Sequence, residues 1–96
     1  MKTLTICGSM RFAAEMREIA YMLETKCGYN VLQCVYGNEE MPTAEEIETL
    51  AAAHYRKIDL ADGIYVVNIG GYIGDSVRCE IEYAERKNKA VLYHER

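Results

Sequence analysis

Two glutamates, Glu80 and Glu82, stand just behind the glycine-rich stretch "NIGGYIGDS" (68–76), where a carboxylate could attack or orient a bound molecule. The segment from about Ser76 to Lys87 reads as a helix whose apolar stripe is Val77, Ile81 and Ala84. At about 100° per residue, Glu80 falls roughly 60° from the stripe centre and Glu82 on the far side. Glu82 is therefore expected in solvent. Glu80, one turn into the helix, is expected to point toward the sheet end, a setting that suits a nucleophile. Gly70, Gly71 and Gly74 would let backbone approach a flat ligand closely, with Tyr72 free to lie over a base or sugar. His54 is the second candidate, since with Ile47, Leu50, Ala51 and Ile58 it falls within the apolar face of a predicted helix.

A second loop, "CGSMRF" (7–12), puts Gly8 and Ser9 directly before a helix. Unpaired backbone N–H groups and the helix dipole favour an anion there, and Arg11 supplies a charged donor. Neither G-x-G-x-x-G nor G-x-x-x-x-G-K-[ST] is present, so the loop is not a dinucleotide or triphosphate signature. The expected walls of a ligand site are thus Cys7, Gly8, Ser9 and Arg11 from one loop, and Asn68, Gly70, Gly71, Tyr72, Gly74, Asp75 and Ser76 from the other.

The elements that must carry these loops alternate. "KTLTIC" (2–7) reads as a strand, followed by a helix over 11–26 with Phe12, Met16, Ile19, Ala20 and Leu23 on one face and Gly28 at its end. "NVLQCVY" (30–36) reads as the second strand. Thr43 and Glu46 form a capping box for a helix over 44–60 with Ile47, Leu50, Ala51 and Ile58 inward. "GIYVVNI" (63–69) is the third strand, too apolar on both faces for an edge, and "AVLYH" (90–94) the fourth. Near-continuous apolar strands alternating with helices predict a small doubly wound α/β fold, a parallel sheet of about four strands in order 2-1-3-4 with helices on both faces. Ligands in such sheets bind beyond the carboxyl ends of the strands near the switch point, where the two loops meet.

At 96 residues the chain is one domain, large enough to bury a core without disulfides or metal. Its four cysteines have no C-x-x-C pair and no His at zinc spacing, and read as buried thiols of a reducing cytoplasm. No signal peptide or membrane span is indicated, and the net charge of −4 disfavours a nucleic-acid polymer as partner. Tyr21 and Met22 lie off the main helical stripe and predict a homodimer.

"ICGSMR", "DLADGIYVVN" and "GDSVRCEIEYAERKNKAVLY" together resemble the nucleoside 2-deoxyribosyltransferase superfamily, including its 2-deoxynucleoside 5-phosphate N-hydrolase branch. The likeness runs through most of the chain in order, and its most specific element is Glu80-Ile81-Glu82-Tyr83-Ala84. It implies that Glu80 attacks the anomeric carbon of a (deoxy)ribosyl group to give a covalent glycosyl-enzyme, without any cofactor. It further implies that Gly8, Ser9 and Arg11 contact the sugar or its 5-phosphate and that Asp75 and Ser76 sit beside the sugar hydroxyls. Where the family carries an acidic residue assisting the leaving base, His54 stands here. Two functions follow as expectations: an N-glycosidic-bond enzyme acting on a (deoxy)nucleoside or its 5-monophosphate, or a module on the same fold that binds a nucleotide without turning it over.

Overall fold

The computed structural model describes residues 1–37 and 40–95. Four parallel strands, β1 (Thr3–Gly8), β2 (Asn30–Leu32), β3 (Gly63–Val67) and β4 (Ala90–Tyr93), form one sheet in the order β2-β1-β3-β4. Helices α1 (Ala13–Thr25), α2 (Ala44–Leu60) and α3 (Asp75–Arg86) connect them. Strand alternation sorts the core into two layers. Ile6 and Val67 face α1, whose Met16, Ile19, Ala20 and Leu23 are buried against them. Cys7, Ile64 and Val66 face the opposite way, onto Ile58 of α2 and Val77, Ile81 and Ala84 of α3. β1 and β3 are thereby covered on both faces. Gly63 allows the close pairing of β3 with β4, because a Cβ there would meet the Ala90 carbonyl oxygen at 2.7 Å.

Three sequence expectations are corrected. The second strand stops at Leu32 rather than reaching Tyr36, because after Leu32 the chain leaves the sheet: the Gln33 carbonyl accepts from Lys57 Nζ at 2.8 Å, and the Cys34 thiol, not a backbone N–H, reaches the Ile6 carbonyl at 3.6 Å. The third strand stops at Val67, where a 3-10 turn over Ile69–Gly71 begins, with Gly70 and Gly71 at positive φ. In α2 the capping box of Thr43 and Glu46 forms, yet Ile47, Leu50 and Ala51 are exposed and Ile58 alone is buried. Length explains this. Seventeen helical residues span about 25 Å at ~1.5 Å each, whereas the five residues of β3 span about 17 Å at ~3.3 Å each. The N-terminal turns of α2 therefore run past the carboxyl edge of the sheet.

Polar ties join buried Ile58 in holding the C-terminal half of α2 in place. Thr5 Oγ1, buried in β1, donates to the Lys57 carbonyl at 2.8 Å. Tyr83 of α3 donates to Asp59 Oδ1 at 2.6 Å, and Lys89 Nζ caps the carbonyls of Asp59 and Ala61 at 3.0 and 2.8 Å. No described helix is long and apolar enough to cross a membrane.

The cysteines also depart from expectation. Cys7 is buried and Cys34 half-buried, but Cys27 and Cys79 are exposed. A chromogenic disulfide reagent under native conditions is expected to label Cys27 and Cys79 at once, Cys34 slowly, and Cys7 only on unfolding. Immediate reaction of all four thiols would contradict this arrangement.

Candidate functional site

Three elements each deliver one side chain to a common point beyond the carboxyl ends of β1 and β3. Alternation along β1 turns Cys7 toward the α2/α3 layer, below the mouth of the site. On α2, His54 lies one turn before buried Ile58 and so faces the same way. On α3, Glu80 lies three residues after Val77 and one before Ile81, at the edge of the buried stripe. His54 Nε2 is 3.4 Å from Cys7 Sγ and 3.4 Å from Glu80 Oε1. The side chains of His54 and Glu80 are 12% and 14% exposed, so both open narrowly to solvent. Glu82 is exposed, as the helical spacing predicts.

His54 and Glu80 line a cleft of ≈ 570 Å³, whereas Cys7, fully buried, is not part of its lining. Gly8 and Ser9 from the first loop line it, as do Tyr72, Gly74, Asp75 and Ser76 from the second. Helix α3 begins at Gly74 with no side-chain cap, leaving its first-turn N–H groups to whatever binds beside Asp75 and Ser76. Arg11 stands next to the cleft rather than in its lining, with its guanidinium 3.8 Å from the centre of the Tyr72 ring. Ser9 Oγ accepts from the Arg11 backbone N–H at 3.3 Å.

The remaining expected residues face elsewhere. Asn68 accepts from the Glu95 backbone N–H at 2.8 Å and donates to its carbonyl at 2.9 Å, while the Gly70 N–H donates to the Glu95 carboxylate at 3.1 Å. This part of the glycine loop secures the chain after β4. Gly71 completes that turn, its N–H donating to the Asn68 carbonyl at 2.8 Å, and is not among the residues lining the cleft.

Glu80 sets the electrostatics. Burial first, then the Glu80 charge, pushes the Cys7 thiol well above its ordinary range, and the same two causes push Cys34 up to about 11. Both thiols are accordingly neutral at physiological pH. The Tyr55 hydroxyl is raised by burial and again by Glu80.

Several residues of the cleft escape sequence reasoning. Leu50, Ala51 and Lys57 line it from α2, at four and three residues before His54 and three after. Helical spacing from His54 would have found them, but in the sequence Leu50 and Ala51 read as core and Lys57 as part of a solvated basic face. Cys34 and Val35 line it because the chain leaves the sheet after Leu32, which an apolar run does not reveal, and Pro42 carries no signal of its own.

Comparison with protein-family models, with curated proteins and with solved structures returns no match. The reading of the site therefore rests on its geometry and on the motif resemblance. A half-buried carboxylate beside an imidazole, with two small-residue loops and an aromatic ring across the cleft, can serve as a nucleophile toward an electrophilic carbon.

Proposed function

We propose that this protein cleaves the N-glycosidic bond of a (deoxy)nucleoside or its 5-monophosphate, with Glu80 as nucleophile. The observation that carries the reading is the position of Glu80: it sits at the floor of the cleft, between the β1–α1 loop and the start of α3, in contact with His54. A Glu80 oxygen attacks the anomeric carbon as the bond to the base breaks, the electron pair leaving with the base nitrogen. Water, giving a proton back to the imidazole that protonated the base, then attacks the same carbon, releases the sugar and restores the carboxylate, with net retention. His54 orients Glu80 in the resting arrangement. Its Nε2 turns from the carboxylate toward the cleft to give the departing base its proton. Incubation with a panel of nucleosides and 5-monophosphates, followed by chromatography for free base, tests the activity. Release of base from none of them would leave the binding module as the function of the fold. One observation favours that second reading: His54 Nε2, 3.4 Å from Glu80 Oε1, is turned to the carboxylate in the resting arrangement and must move before it can serve a departing base.

Arg11 and Ser9 are assigned to the 5-phosphate. The guanidinium stacked on Tyr72 lies where the cleft meets the start of α1, and a phosphate there would gain its charge-assisted hydrogen bonds. Arg11→Ala is expected to weaken a 5-monophosphate by about 1.5–3 kcal/mol while barely changing the matching nucleoside. Calorimetric titration of both ligands decides it, and an equal loss for both would remove the assignment.

The protein is further proposed to work as a homodimer. Tyr21 and Met22 are exposed as expected, but a second exposed apolar surface lies on the overhanging half of α2, where Leu50 stands near exposed Val35 and Met41 and exposed Ile47 lies three residues before Leu50. A second copy covering it would also close one side of the cleft, which Leu50 lines. Light scattering at tens of micromolar is expected to give a dimer that Ile47→Asp splits and Tyr21→Asp does not. A monomer from the unmodified chain would contradict the assembly.

A further inference from the structure

Both neighbours of His54 meet the same ring nitrogen: Cys7 Sγ and Glu80 Oε1 are each 3.4 Å from Nε2. In a nucleophile relay the thiol and the carboxylate address opposite nitrogens of the imidazole, one accepting a proton while the other donates. Here one nitrogen has either a single hydrogen or a single lone pair to offer two groups, and the Cys7 thiol is also in hydrogen-bonding reach of Glu80, so that the three donors face one another. The sulfur, nitrogen and oxygen donors all lie within 4.8 Å of one another, and no other such donor group occurs among the described residues.

We infer that Cys7, His54 and Glu80 form a site for one zinc ion, with its fourth position open to the cleft. Tetrahedral zinc with bonds of ~2.3 Å to sulfur and ~2.0 Å to nitrogen or oxygen holds S and N about 3.5 Å apart and N and O about 3.3 Å apart. The separations of the two contacts with His54 match these values closely. The donor types match as well, since a soft thiolate and a borderline imidazole beside a single hard carboxylate select zinc over magnesium or calcium, which take all-oxygen sites. Charge balances too: a thiolate and a carboxylate neutralise the dication in a site where His54 and Glu80 are little exposed. The Cys7 thiol gives up its proton to solvent as the sulfur binds. The donors are held by separate anchored elements, the end of β1, the tied half of α2 and the second turn of α3, so the three-point arrangement is built before metal arrives.

The site stands on this geometry and does not depend on the glycosidic-bond reading. Where both hold, zinc on Glu80 removes the nucleophile, and the metal-loaded protein is inactive until a chelator strips it.

The test uses the full chain, treated with a chelator, freed of it, and kept reduced with a phosphine. Titration with Co2+ is expected to give one ion per chain, a thiolate-to-cobalt charge-transfer band in the near ultraviolet and the intense visible bands of a tetrahedral centre, all displaced by Zn2+. Cys7→Ser is expected to abolish the charge-transfer band and to weaken Zn2+ by at least ~100-fold, since loss of a supporting partner alone costs ~10–100-fold. Cys27→Ser and Cys79→Ser are expected to leave the spectrum unchanged. His54→Gln provides a second arm, expected to keep the fold by circular dichroism while weakening Zn2+ to a similar degree. No charge-transfer band in the native chain, a band that persists in folded Cys7→Ser, or Zn2+ affinity unchanged in folded His54→Gln would each overturn the site.

Discussion

Glu80→Gln is expected to lower free-base release by at least ~10³-fold while ligand affinity stays within about tenfold. The amide keeps the shape of the side chain and its place beside His54, so the cleft is preserved; only the negative charge that attacks the anomeric carbon is lost. Glu82→Gln, two residues on but exposed, is expected to leave release unchanged. The pair controls for general damage to α3, since both substitutions remove one charge from the same helix. Chromatographic assay of base release, with ligand affinity measured in parallel, separates chemistry from binding. A module that only holds nucleotides gives a different pattern: no base released from the native chain, and affinity that either variant shifts only modestly.

The second large effect is structural. Ile58→Ala is expected to cost about 3 kcal/mol, within the ~2–5 kcal/mol range for truncating a buried aliphatic side chain. Ile58 is fully buried among Cys7, Ile64 and Val66, and it is the only buried residue of a seventeen-residue helix. For a chain of this size that loss lowers the midpoint of thermal unfolding by roughly 12–20 °C. The anchor that fails is also the one that sets His54 a turn away, so loosened α2 should show in activity before the protein unfolds. Glu48→Ala, on the exposed part of the same helix, is expected to change stability by less than ~0.5 kcal/mol. Thermal denaturation of both variants checks the contrast, and equal midpoints would mean that α2 is held by its polar ties alone.

The sheet order and the α/β class could be read from the chain because the signals were local and periodic. The run of β-branched residues in β1, the 3.6-residue stripe of Met16, Ile19, Ala20 and Leu23, and the capping box at Thr43 each name an element without reference to its neighbours. Glu80 was legible for the same reason, since its angle to the stripe of Val77, Ile81 and Ala84 is a property of α3 alone. What was not legible depends on lengths and on distant partners. Nothing in Ile47 or Leu50 says that the helix outruns the sheet, and nothing in "QCVY" (33–36) says that Lys57 and Ile6 will draw that segment out of pairing. The convergence of Cys7 and Glu80 on one nitrogen of His54 joins residues 47 and 26 positions apart, beyond any spacing rule. Likewise Asn68 and Gly70 look like ligand-loop residues until the chain returns and places Glu95 against them.

The claim that Glu80 is the nucleophile is tested most directly by catching the bond it should form. A 2-deoxy-2-fluoro nucleoside 5-monophosphate, whose electron-withdrawing fluorine slows hydrolysis of the glycosyl ester, would be mixed with metal-free protein, quenched in acid and examined by peptide mass spectrometry. The account predicts a gain in mass equal to the sugar phosphate on the peptide containing Glu80, and none in Glu80→Gln. Base released from a protein that never carries the sugar, or a sugar found on a peptide without Glu80, would contradict it.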